Sequence, residues 1–119
     1  MKRLTVLVAF TLGMAGCGGD DGNAPSVSQV TVTVRQGTAA VTSEYVQEST
    51  AANSASDLGT IINYAITDSS GQATFTVPRS TSTGNLCFSS YLTWSGGNSF
   101  VYSCKSLNEL TATVALNHP

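Results

Sequence analysis

Apolar and polar residues alternate one by one along most of the chain after Ser26, and this alternation restricts the fold more than any other feature. Residues 30–34 alternate valine with threonine, and residues 73–77 alternate apolar side chains with threonine. Alternate side chains of a β-strand point to opposite faces, so a period of two indicates half-buried strands. The sequence predicts seven strands in all, in residues 30–34, 41–46, 62–66, 73–77, 86–94, 100–104 and 110–116.

Turn-forming residues separate these candidate strands. Gly, Asn, Asp, Ser and Pro cluster at residues 36–38, 68–71, 82–85 and 96–98, where they favour tight turns. Seven short strands in about 90 residues are typical of an antiparallel β-sandwich, and a small closed barrel is the alternative. Residues 49–57 are small and polar without any period. We expect them to form a long loop, either a solvated connection or a binding loop.

The first seventeen residues are organised like a secretion signal. Lys2 and Arg3 precede an apolar run at residues 4–12, which is about half as long as a membrane-spanning helix. The residues that follow, Met14-Ala15-Gly16-Cys17, resemble the lipobox of bacterial lipoproteins. The resemblance implies cleavage before Cys17 and a lipid anchor on that cysteine. An ordinary signal peptide with a chance cysteine is the alternative.

The residues around the cleavage site divide the chain. We expect residues 1–16 to be the signal peptide, 17–27 the lipidated cysteine with a flexible linker, and 28–119 the folded domain. Residue 18 is Gly, whereas an Asp after the lipidated cysteine favours retention in the inner membrane of Gram-negative lipoproteins. The resemblance therefore implies the outer membrane, with palmitate-type acyl chains holding the protein there.

The segment from residue 67 to residue 78, TDSSGQATFTVP, has the composition of a hairpin turn followed by a strand. Asp68 can accept hydrogen bonds from the backbone of the next residues, and Gly71 tolerates a positive φ. The segment resembles the hairpin of secreted bacterial Ig-like modules, both the carboxypeptidase-regulatory, transthyretin-like (prealbumin-like) domain and the invasin-type repeat. The resemblance implies an Ig-like sandwich that acts as a spacer, an accessory domain or an adhesion unit.

Two cysteines remain after Cys17, and secretion would place both in an oxidising compartment. The turn at residues 95–98 folds their strands into a hairpin. If Thr93 pairs with Asn98, Cys87 lies opposite Cys104, and in the neighbouring register the two cysteines are still close on one face. We therefore predict a structural disulfide between Cys87 and Cys104.

The composition contains little material for catalysis. Charged residues make up 10% of the chain and the net charge is −2, so there is no basic excess that would bind nucleic acid. The one histidine, His118, stands next to the C-terminus, where we expect a frayed tail. Turn formation explains Asp68, and a solvated face is expected for Glu44 and Glu48. We therefore expect no catalytic, cofactor-binding or metal-binding residue, and no enzyme activity.

Aromatic residues in the last predicted hairpin are the best candidates for a binding site. Tyr91, Phe100 and Tyr102 share one predicted face, which is either open to a partner or buried through a β-bulge at the glycines. We expect a non-catalytic binding or structural module that is anchored in the cell envelope through Cys17 and contacts a protein or a glycan. The alternative is an inhibitor of an envelope or host enzyme such as a lysozyme or a protease.

Overall fold

The computed structural model describes residues 24–119, which form eight β-strands in two sheets. No α-helix occurs in this range; one turn of 3₁₀ helix, Leu107–Glu109, precedes the last strand. The all-β prediction is confirmed. The strands are β1 Gln29–Gln36, β2 Ala39–Ala40, β3 Tyr45–Ser49, β4 Ile61–Ile66, β5 Gln72–Thr76, β6 Asn85–Trp94, β7 Gly97–Ser106 and β8 Thr113–His118.

The first sheet is built around β1. Strand β8 pairs with β1 in parallel along one edge, and β5 pairs with it antiparallel along the other. The two-residue strand β2 follows β5 along that second edge, opposite Arg35 and Gln36. In β1, the Val-Thr alternation places the valines on the inward face of this sheet and the threonines on the opposite face.

The second sheet has the order β4-β3-β6-β7, and all of its pairs are antiparallel. The long β6–β7 hairpin is regular from Asn85–Ser106 to Trp94–Gly97. The β3–β4 pair contains one irregularity, where the register shifts between Glu48 and Ser49. The inward faces of the two sheets meet in a single core, in which the rings of Phe75 and Phe88 pack with centroids 5.3 Å apart.

Two details differ from the sequence prediction. There are eight strands rather than seven, because Ala39 and Ala40 pair briefly with the end of β1. The sandwich is also not wholly antiparallel, since β8 lies parallel to β1. Period-two patterning gives the face of each residue but not its partner strand, so it contains no information about this pairing of the first and last strands.

The turn before β5 has the interactions that its sequence predicts, but it is not a hairpin, because it connects β4 of the second sheet to β5 of the first and these two strands do not pair. One carboxylate oxygen of Asp68, Oδ1, accepts hydrogen bonds from the backbone N–H of Ser70 at 2.9 Å and of Gln72 at 3.0 Å. A hydrogen bond from the Ser70 hydroxyl, followed by these two backbone hydrogen bonds, lowers the pKa of Asp68. Gly71 has φ +78°, and a Cβ there would lie 2.7 Å from the carbonyl oxygen of Val34. The turn therefore needs glycine for its conformation and for its contact with β1.

The N-terminal predictions fall on residues that the structure does not describe. The signal peptide, Cys17 and most of the linker all lie before residue 24. Ser26 makes the first hydrogen bonds to the domain within the described range, since its backbone N–H and hydroxyl donate to the carbonyls of Leu107 and Leu110. Within residues 24–119, no helix has the length and apolar character needed to cross a membrane.

Candidate binding surface

Large apolar side chains are exposed on the second sheet. Among residues 24–119, every large hydrophobic residue that is classed as exposed belongs to this sheet. The outward positions of its four strands form what we call the aromatic face, defined by Tyr45, Gln47, Tyr64, Ser89, Tyr91, Phe100 and Tyr102. Exposed apolar area that is concentrated on one side of a domain marks an interaction site more often than scattered single residues do.

The β6–β7 ladder brings the three sequence-predicted aromatic residues together. Tyr91 lies opposite Phe100, and Tyr102 lies opposite Ser89. Tyr91 is 47% exposed and Tyr102 is 54% exposed, whereas Phe100 is half-buried. The ladder contains no bulge at the glycines, so the alternative in which a bulge buries these side chains is not what the structure shows.

Phe100 is less exposed because the segment after β3 packs against it. Ala52 and Leu58 form a small apolar cluster with Cys87, and Phe100 contacts this cluster. Backbone hydrogen bonds from Thr50 to Thr60 and from Ala51 to Leu58 hold the segment in place. The loop expected between the second and third predicted strands is therefore anchored at both ends, and only its tip is solvated.

Two further tyrosines on this face were missed by the sequence analysis. Tyr45 on β3 and Tyr64 on β4 are 57% and 59% exposed, and their rings pack edge to face with centroids 5.5 Å apart. Their alternation was visible in the sequence. The pairing of β3 with β6, which places them on the same face as Tyr102, is non-local and could not be read from periodicity.

A polar strip separates the aromatic groups. The registers of the four strands place Tyr64, Gln47, Ser89 and Tyr102 side by side in one row across the sheet. Ser89 is only 1% exposed, and its hydroxyl has no hydrogen-bond partner. A buried hydroxyl without a partner costs free energy, so the centre of the aromatic face contains unused hydrogen-bonding capacity.

The aromatic face is uncharged. No Asp, Glu, Lys, Arg or His occupies an outward register position of β3, β4, β6 or β7 within the described chain. Lys105, the basic residue of β7, pairs with Leu86 and so has the opposite parity. The face therefore offers aromatic rings, aliphatic groups, hydroxyls and amides, but no ion-pairing group.

The predicted disulfide is confirmed and lies beside this face. Cys87 and Cys104 are directly opposite each other, with Cα atoms 4.1 Å apart and an S–S bond of 2.05 Å. The register is the one in which Thr93 pairs with Asn98. The bond lies two residues along the strands from the Ser89–Tyr102 pair. Cys87 is buried against Ala52 and Leu58, whereas Cys104 is exposed.

The buried acidic residue in β3 corrects an expectation. Glu48 has the inward parity of Val46, lies opposite Phe88 and is 1% exposed, so it does not lie on a solvated face. Burial raises its pKa to about 7, and its Oε2 atom has no partner. The prediction was wrong because β3 continues past residue 46, where the candidate strand was expected to end.

The histidine at the C-terminus also corrects an expectation. His118 is part of β8, only 2% exposed, and not in a frayed tail. Its Nε2 atom lies 3.0 Å from the Ser90 hydroxyl, which is the spacing of a nucleophile and a base. Ser90 is also 2% exposed, so a substrate has no access to the pair in this structure. Burial lowers the pKa of His118, which favours a neutral ring that links the two sheets.

The remaining clusters of the described chain offer less chemistry. No group of three or more His, Cys, Asp or Glu residues within 24–119 is placed to hold a metal ion. A half-open groove of about 330 Å³ lies where the chain enters the domain, with Val77 and Arg79 among its lining residues. The other residues that line it are 24–28, where the linker joins the domain. The groove therefore results from the way the linker packs on the domain, and we do not treat it as a separate site.

Comparisons with known proteins do not place this chain in a family. No protein-family model matches the sequence, and no curated protein is significantly similar to it.

Proposed function

We propose that the protein is a non-catalytic binding module of the bacterial cell envelope, anchored by a lipid on Cys17, and that the aromatic face contacts its partner. The observation that carries the proposal is the concentration of all the large exposed hydrophobic residues of the described chain on one sheet. Partner surfaces are enriched in Tyr and other aromatic residues because these provide contact area at a low cost in side-chain entropy.

The first sheet shows that folding does not require such a surface. Its outward positions hold threonines, for example Thr74 beside Thr31, with their hydroxyls 3.4 Å apart. Threonine satisfies the β-propensity of an outward strand position without exposing a large apolar group. The tyrosines of the second sheet are therefore better explained by binding than by strand formation.

The module is proposed to be Ig-like, and the two packed sheets are compatible with that class. The TDSSGQATFTV segment, which resembles the hairpin of secreted Ig-like modules, forms strand β5 and the turn that connects it to the other sheet. Single small sandwiches of this kind suit a role in adhesion or in supporting an envelope assembly. In this proposal the outer membrane is the location, which follows from the resemblance of residues 14–17 to a lipobox and from Gly18.

The anchor and the contact surface need separate tests, each with the full chain in a bacterial host. Cys17→Ser should shift the protein from the membrane to the soluble fraction, because the acyl chains supply the membrane affinity. If the variant stays in the membrane fraction, the anchor proposal is wrong.

A photo-crosslinking amino acid tests the contact surface. Placed at Tyr64 or Tyr102 it should give specific adducts in intact envelopes, whereas the same group at Thr74 on the first sheet should give none. Equal labelling at all three positions would contradict the assignment of the aromatic face. An enzyme as the crosslinked partner would instead favour the inhibitor.

A further inference from the structure

We infer that the partner of the aromatic face is a neutral glycan, held between its aromatic groups over the strip formed by Gln47 and Ser89. This inference rests on the proposed function and names the chemical class of the ligand. Three features of the structure support it: the spacing of the aromatic groups, the unpaired polar groups between them, and the absence of charge.

The aromatic groups stand on both sides of the polar strip. Tyr64 packs with Tyr45 on one side, and Tyr102 packs with Phe100 on the other, with ring centroids 5.8 Å apart. Tyr64 and Tyr102 are separated by three strand spacings, about 14 Å at roughly 4.8 Å per strand. A chain of linked sugar rings fits such an elongated, shallow site, with the apolar C–H faces of the sugars against the exposed rings.

The polar strip supplies hydrogen bonds to sugar hydroxyls. Among the described residues, no side-chain hydrogen bond is formed by Gln47, and the Ser89 hydroxyl is buried without a partner. An amide offers donors and an acceptor, and a hydroxyl can act as either. Sugar hydroxyls have the same dual character, so they can satisfy both groups at once. Ser89 is 1% exposed in the free protein, so in the proposed complex the exposed side chain of Tyr102, which lies opposite it in the ladder, rotates to let a sugar hydroxyl reach it.

The absence of charged side chains on the aromatic face favours an uncharged ligand. An anionic polymer needs basic side chains, and no outward register position of β3, β4, β6 or β7 holds one. A purely apolar protein surface would cover the Gln47 amide and the Ser89 hydroxyl without pairing them, which is unfavourable. A neutral glycan matches the apolar rings and the polar strip together.

Affinity electrophoresis of the full-length lipoprotein in detergent tests the inference. The gels contain the neutral polysaccharides soluble starch, dextran, galactomannan or xyloglucan, with alginate as the charged control, and N-acetylchitohexaose is titrated in solution. We expect retardation by at least one neutral polysaccharide, or binding of the oligosaccharide, and no retardation by alginate. Retardation by alginate alone, or no binding to any neutral probe, would overturn the inference.

Variants test whether the binding uses this face. Tyr64→Ala and Tyr102→Ala should each weaken binding at least about tenfold, the usual effect of removing an aromatic anchor. Ser89→Ala should weaken it about threefold, the effect of one lost hydrogen bond. Thr74→Ala on the first sheet is the matched control and should bind like the native chain.

The outcomes separate this inference from the proposed function. If the neutral probes do not bind while residues 64 and 102 crosslink to an envelope protein, the glycan is wrong and the binding module stands. If neither glycan nor protein contacts this face, both fail. If a glycan binds but all the variants behave like the native chain, the ligand site is elsewhere and the inference is also wrong.

Discussion

The two sheets of the sandwich use the same strand pattern in different ways. In the first sheet, the inward side chains are almost all apolar, with His118 as the exception, and the outward ones are mostly polar, most often threonine. The second sheet departs from the pattern on both faces. It buries Glu48 and Ser90 inside, and it exposes tyrosines and isoleucines outside.

This contrast shows that the fold does not require large apolar residues at outward positions or polar residues at inward ones. The first sheet proves that threonine is sufficient at outward positions and that valine fills inward ones. The departures in the second sheet cost stability, through the unpartnered Glu48 oxygen and the exposed apolar area. Local costs of this kind are typical of functional regions, where selection acts on binding as well as on folding.

The largest expected effect on stability comes from removing the disulfide that joins β6 and β7 in the second sheet. Replacing both Cys87 and Cys104 with Ser should lower the free energy of unfolding by about 3 kcal/mol, because the bond closes a loop with a sequence separation of 17. Urea denaturation of the native and double-variant proteins measures the difference. Reduction of the native protein should reproduce it. An unchanged midpoint would show that the β6–β7 hairpin does not depend on its disulfide.

The second prediction uses the buried carboxyl group. Glu48 has a pKa of about 7 in the folded state against 4.5 when unperturbed. The folded state therefore holds a proton that the unfolded state releases, and stability falls as the pH rises from about 4.5 to 7. Between pH 5 and pH 8 the loss should be no more than about 2.5 kcal/mol.

Glu48→Gln removes this titration while keeping the shape of the side chain. Denaturation curves at pH 5 and pH 8 should differ less for the variant than for the native protein. Burial lowers the pKa of His118, so its contribution to the protein's stability is lost in the opposite direction, as the pH falls. This contribution is common to the native protein and the variant. Equal pH dependence of the two proteins would mean that Glu48 is ionised in the folded state.

The third prediction compares neighbouring serines on opposite faces of β6. Ser90→Ala should cost about 1–2 kcal/mol, because it leaves the buried Nε2 atom of His118 without its partner. Ser89→Ala removes a buried hydroxyl that has no partner, so stability should be unchanged or slightly higher. Thermal unfolding of the two variants measures this, and an equal loss for both would contradict the assignment of Ser89 as unpaired.

The sequence predicted much of this structure from local patterns. The alternation indicated the strands, and the glycine turn left two registers for β6 and β7, each of which brought Cys87 close to Cys104; the structure has the one in which they are directly opposite. The predicted hairpin also placed Tyr91, Phe100 and Tyr102 on one face. The binding role of that face, and the lipid on Cys17, stay predictions.

Features that depend on non-local pairing were not predictable. The parallel pairing of β8 with β1 and the pairing of β3 with β6 join segments far apart in the chain. Because of them, His118 and Glu48 are buried rather than solvated, and Tyr45 and Tyr64 join the aromatic face. Periodicity assigns a residue to one of two faces but not to the core, since the neighbouring sheet decides which face is covered.

The smallest expected effect on stability, and the most direct test of the contrast between the sheets, is an exchange of outward residues. Tyr64→Thr places a threonine on the second sheet, and Thr74→Tyr places a tyrosine on the first; both sites are exposed. Each change should alter the free energy of unfolding by less than about 1 kcal/mol, since cross-strand pairs on solvated faces contribute about that much. Binding should respond differently, with loss of affinity in Tyr64→Thr and none in Thr74→Tyr. Chemical denaturation and the electrophoresis assay on the same samples measure the two effects. A loss of several kcal/mol in Tyr64→Thr would mean that the tyrosine supports the sheet, and the contrast between the two faces would then reflect folding rather than binding.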